Sequence, residues 1–160
     1  MRTIVLLFLL FCGIFPAAAK KHGPVQAVWI CERKQLTEGD SCLVSLVLLS
    51  QEGIDRVQLG ARPKTKGGTL RRLPVAPTVD RVRSRRPDGR GYILLNRVVC
   101  ARFVAKAEAP GKISVKPLTV KVAVAGRKQA VSVATEKWTL PVAAKPQKTN
   151  RELMRRGGFL

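Results

Sequence analysis

The sequence predicts an all-β antiparallel sandwich, on three observations. Apolar and β-branched runs recur at about 8–12-residue spacing. Gly- and Pro-bearing turns separate them. Helical patterning is confined to a weak signal at residues 150–154. The chain is 160 residues long and 46% hydrophobic, which suits one domain and exceeds what a fully disordered polycation carries.

The elements follow in chain order. Residues 25–32 are rich in β-branched and aromatic side chains and form a first strand. The turn Glu38-Gly39-Asp40 leads into residues 42–49 (CLVSLVLL), apolar on both faces as a central strand between layers would be. Residues 57–59 make a short strand. Residues 92–105 give the longest strand pattern; its odd positions Ile93, Leu95, Val99, Ala101 and Phe103 are apolar, interrupted by Arg97, so the odd face is expected to meet the core. After the turn Ala109-Pro110-Gly111-Lys112, Ile113 and Val115 alternate with polar residues. Pro117 breaks the ladder, where a bulge or an edge position is expected. Leu118, Val120, Val122 and Val124 resume the alternation, Gly126 turns the chain, and residues 129–140 form a last strand ending at Pro141.

The N-terminus reads as a secretory signal. Arg2 gives a positive start, residues 4–15 form a short apolar run, and Ala17, Ala18 and Ala19 supply small residues before a cleavage point between Ala19 and Lys20. An uncleaved anchor is the alternative. Lipid attachment at Cys12 is disfavoured by the large Phe11 before it. The expected organisation is a signal peptide at residues 1–19, a sandwich at 20–143 and a basic tail at 144–160. Cleavage leaves 141 residues, no apolar stretch long enough to span a bilayer, and a periplasmic or secreted location.

That location permits a disulfide. Cys31, Cys42 and Cys100 remain, and Cys31 with Cys42 is the first-choice pair because the two are nearest in sequence and flank a turn. The alternative is that all three are small buried apolar residues. Catalytic patterns are missing from the sequence: the only histidine is His22, near the mature terminus, and the acids are scattered. No phosphate-binding glycine motif follows a strand. The expectation is a non-enzymatic protein without metal or cofactor.

Charge is the sharpest chemical feature. The formal net charge is +20, and residues 62–90 hold Arg62, Lys64, Lys66, Arg71, Arg72, Arg81, Arg83, Arg85, Arg86 and Arg90 against Asp80 and Asp88. Four prolines and several glycines make much of this segment read as loop. Arg81, Arg83 and Arg85 lie at i, i+2 and i+4, on one face if the chain is extended, and guanidinium forks suit phosphates and carboxylates. The functional reading is an anion- or partner-binding segment; the plain alternative is a solvated inter-strand loop. Nucleic acid fits poorly, because little aromatic surface for stacking bases lies near and the chain is exported. Anionic glycans, lipopolysaccharide phosphates, an anionic lipid surface or an acidic envelope protein fit better.

Four stretches in order resemble the BatD (oxygen-tolerance, aerotolerance) family of exported bacterial proteins: Leu36-Thr37-Glu38-Gly39-Asp40 opening the strand at 42–49, Ile54-Asp55-Arg56-Val57-Gln58-Leu59 followed by Gly67-Gly68, the Tyr92-led strand, and Ala109-Pro110-Gly111-Lys112-Ile113-Ser114-Val115-Lys116-Pro117. Full members carry several domains and usually a C-terminal anchor, so this chain looks like a single-domain or truncated relative. The resemblance implies an immunoglobulin-like sandwich and an envelope module acting through protein contacts, with Bat-type partners and a link to oxygen or stress tolerance.

Overall fold

The computed structural model describes residues 24–86 and 88–146. The signal-peptide reading, with Ala19 and Lys20, His22, the helical signal at 150–154 and the tail beyond residue 146 lie outside them. The described residues are all β: β1 Val25–Cys31, β2 Leu36–Thr37, β3 Ser41–Ser50, β4 Ile54–Leu59, β5 Thr65–Lys66, β6 Gly68–Leu73, β7 Thr78–Arg85, β8 Tyr92–Ala107, β9 Gly111–Val115, β10 Thr119–Val124, β11 Val131–Ala134 and β12 Trp138–Ala143. No helix among them is long and apolar enough to cross a membrane.

Two layers enclose the core. The first is a five-stranded antiparallel sheet, β1-β3-β8, whose far edge is shared by β6 and β7. The second consists of two smaller sheets, β11-β10-β4 and β2-β12-β9-β5. Val44, Leu46, Leu48, Phe103 and Ala105 of the first layer and Ile113, Val115, Val120, Val122 and Leu140 of the second are buried in one cluster. Trp29 of β1 packs with Phe103 at a centroid distance of 5.6 Å and reaches across to Trp138 of β12 at 6.4 Å. Burying these side chains is the dominant favourable contribution to the fold, since apolar area removed from water is worth about 25 cal/mol per Å².

The strand at 42–49 is central, as its apolar faces predict: β3 lies between β1 and β8 and extends from Ser41 to Ser50. The long strand is also present, but its core face is not the odd face throughout. Leu46 pairs with Ala101 and Val47 with Val99, so Cys100 is an extra residue, a β-bulge. Because side chains alternate with period two, one inserted residue exchanges the faces. Ala101, Phe103, Ala105 and Ala107 are buried beyond the bulge, whereas Val98 and Cys100 are buried before it. Ile93, Leu95 and Val99 therefore lie on the outer face, and the charged Arg97 at an odd position marks that reversal in the sequence.

Where the sequence shows a break, the chain changes sheet. Pro117 lies between β9 and β10, which belong to different sheets of the second layer. The expected last strand at 129–140 is two strands, β11 and β12, with a second change of sheet between them. The two crossings are tied together. The Leu118 N–H donates to Thr135 Oγ1 at 2.9 Å, and the Thr135 N–H donates to the Leu118 carbonyl at 2.9 Å. Pro141 is inside β12 and does not end it; the two-residue β2 pairs with β12 only from Val142 onward, so the missing N–H falls before that ladder begins.

Candidate anion-binding face

The basic segment is part strand and part connection. β5, β6 and β7 all come from residues 65–85, and the ten basic side chains are exposed but divided. Arg62, Lys64 and Lys66 lie at or before β5 in the second layer. Arg71 and Arg72 alternate on β6, so they point to opposite faces. Arg81, Arg83 and Arg85 are on β7, and Arg86 and Arg90 are in the turn that joins β7 to β8. Pro63, Pro74 and Pro77 stand in the connections between the short strands and leave their ladders intact.

β7 and β8 form an antiparallel hairpin paired without irregularity from Thr78↔Val99 to Arg85↔Tyr92. Its tip is closed by backbone bonds from the Arg86 N–H to the Gly91 carbonyl (3.1 Å) and from the Gly89 N–H to the Arg86 carbonyl (2.9 Å). Opposed residues of an antiparallel pair share a face. One face thus carries Arg81 with Asn96, Arg83 with Leu94 and Arg85 with Tyr92. The predicted alignment of the three arginines is present. The Arg83 guanidinium lies 5.7 Å from the centre of the Tyr92 ring, within cation–π range.

This face continues the one that buries Val98 at the foot of the hairpin. β3 accompanies β8 only as far as the Ser50↔Asn96 pair, and Asn96 Nδ2 donates to the Glu52 carbonyl at 3.0 Å. Residues 92–95 run on past it with β7 as their only partner strand. The inward side of the sheet is there uncovered, and it presents the guanidiniums of Arg83 and Arg85, a phenol ring and a leucine, with Arg81 at its foot opposite Asn96.

The local acids do not neutralise it. Asp80 lies on the opposite face, where Arg97 Nε and Nη2 donate to its two carboxylate oxygens at 2.9 and 2.5 Å. The bond to Asp80 raises the pKa of Arg97 further above its ordinary value. Asp88 accepts the Arg90 N–H in the turn at 2.9 Å.

Cys31 and Cys42, the expected pair, do come together. Their sulfurs are 3.3 Å apart as free thiols, across the β1–β3 ladder at the end away from the arginine hairpin. Burial, and then the Cys31 thiol beside it, push the Cys42 pKa up to about 12. Cys100, in the bulge, donates to the Leu46 carbonyl at 3.2 Å, and burial pushes its pKa up to about 11. Among the described residues, no three His, Cys, Asp or Glu side chains come together as a metal set would.

The arginines are legible in the sequence; the part of Tyr92 and Leu94 in their face is not. The signal was the strand alternation itself: Leu94 and Tyr92 share parity with Val98, so they belong to the same side once the hairpin register is known. No family model matches the chain, and no curated protein matches it.

Proposed function

We propose that this protein is an exported, non-enzymatic interaction module of the bacterial cell envelope that engages anionic partners through the β7–β8 hairpin. One observation carries the reading: Arg81, Arg83 and Arg85 project from an uncovered face while the nearest acid, Asp80, is engaged on the other side. Arginine is suited to this role because its planar fork is always charged and binds phosphate or carboxylate oxygens in pairs. The link to oxygen or stress tolerance, and to Bat-type protein partners, rests on the four strand-and-turn stretches that resemble the aerotolerance family.

The test is retention on an immobilised polyanion such as polyphosphate. The expected result is tight binding at low salt that weakens roughly tenfold or more between about 50 and 200 mM salt, as counterion release requires. Replacing Arg81, Arg83 and Arg85 by Gln should remove most of it, while replacing Arg62, Lys64 and Lys66 should remove much less. Equal losses from the two triple variants would reduce the hairpin to one part of a diffuse positive field and overturn the proposal.

A further inference from the structure

The three most exposed large apolar side chains of the described residues all lie on the hairpin: Val79 at 65%, Tyr92 at 64% and Leu94 at 60%. By strand parity they share the face of Arg81, Arg83 and Arg85. A soluble polyanion needs the guanidiniums and gains nothing from the leucine. A lipid bilayer uses both, because phosphates lie directly above hydrocarbon. From this pairing of charge and apolar surface on one projecting face, we propose that the hairpin docks on an anionic bilayer. The inference rests on the anion-binding reading above and narrows its partner to a membrane surface.

The dimensions fit. Four residues of β8 extend beyond β3, which at about 3.4 Å per residue gives a reach of about 14 Å. Interfacial segments bury their apolar side only about 5–10 Å into the headgroup and acyl boundary. Tyr92 has an apolar ring and a polar hydroxyl, the combination that suits the boundary between chains and headgroups. The arginines have long aliphatic stems, so their charged ends reach phosphates while the stems lie along Leu94 and Tyr92. The contact between Arg83 and the Tyr92 ring holds a cation and an aromatic at the same depth. Every backbone group between Thr78 and Arg85 that faces β8 is already paired, so the ribbon enters this region with its inner ladder satisfied.

The experiment compares two ligands with the exported form, residues 20–160. One is vesicles of phosphatidylcholine containing about a third phosphatidylglycerol, a composition anionic enough to attract basic side chains. The other is soluble polyphosphate. The variant Leu94→Ser should bind vesicles at least tenfold more weakly and polyphosphate as the parent does. Tyr92→Trp should add an emission band that shifts to the blue on vesicles and is quenched by brominated lipid, beyond any change in Trp29 and Trp138. Circular dichroism checks that each variant is folded. If the serine variant keeps its vesicle affinity, or the new tryptophan is not quenched, the bilayer inference fails while polyphosphate binding leaves the anion reading standing. If the parent binds neither ligand at low salt, both fail.

Discussion

The sulfur atoms of Cys31 and Cys42 lie 3.3 Å apart across the β1–β3 ladder, eleven residues apart in sequence. A bond between them needs a closing movement of only about 1.3 Å, given an S–S length near 2.05 Å. Oxidised glutathione should therefore convert them to a disulfide. The two thiols give up two protons and two electrons, and the oxidant is reduced to two thiols. The bridge closes a short loop, so the oxidised protein is expected to be more stable by about 2–3 kcal/mol. Denaturant unfolding with and without reductant measures this, and intact mass reports the loss of two hydrogens. A Cys31→Ser variant whose stability responds to oxidant as the parent does would show that another pair is responsible.

Thiol chemistry also separates the three cysteines by position. With pKa values pushed up to about 12 and about 11, Cys42 and Cys100 carry almost no thiolate at pH 8, and the thiolate is the reactive form. Alkylation of the reduced, folded protein at pH 8 should leave both unlabelled while denaturant exposes both. The same shifts set a pH dependence. Both thiols hold their protons more firmly when folded, so their contribution to stability is complete below about pH 9, the ordinary thiol value here. It declines as pH rises from there toward 11–12, where the folded thiols also ionise. Urea midpoints measured from pH 7 to pH 11 should fall on the alkaline side, and a variant with Ala at Cys100 should fall less.

Much of this fold is legible from alternation and turns, because those are local. The two-sided apolar run at 42–49 marks a central strand, and β3 is one. The faces of β8 are not legible in the same way. They depend on which residue of β3 meets which residue of β8, and the extra residue at Cys100 is a property of that pairing. The arginine triplet is visible because i, i+2, i+4 needs only an extended chain. That its face is uncovered follows from where β3 stops, a long-range relationship. Prolines mark the connections within residues 62–90 but not the short strands between them, which keep their ladders, because a proline outside a ladder costs it nothing.

Thr135 is one of two buried polar residues among those described, and it joins the two chain crossings of the second layer. Thr135→Val keeps the shape but removes the acceptor of the Leu118 N–H. An unsatisfied buried donor costs about 1–3 kcal/mol, so that loss is expected. Thr135→Ser keeps the oxygen and should recover most of it. Equilibrium unfolding of the two variants decides the matter; equal destabilisation would mean that the methyl group, and not the hydrogen bond, is what Thr135 supplies.

Gly67 stands where the chain passes from β5 in the second layer to β6 in the first, with φ at +82°. A side chain there faces two separate costs. The left-handed backbone is unfavourable for any residue with a Cβ, by about 1–2 kcal/mol. The Cβ would also run into the carbonyl oxygen of Lys112 on β9, a backbone atom that cannot move without disturbing its own strand. Gly39, in the turn before β3, has φ at +87° but open space around its Cβ position, so it faces the first cost alone. Gly67→Ala should therefore destabilise the protein clearly more than Gly39→Ala, the second by about 1–2 kcal/mol. The difference between the two unfolding free energies isolates the close approach of β5–β6 to β9. Equal losses would mean that the chain at Gly67 does not approach the Lys112 carbonyl closely enough to exclude a Cβ.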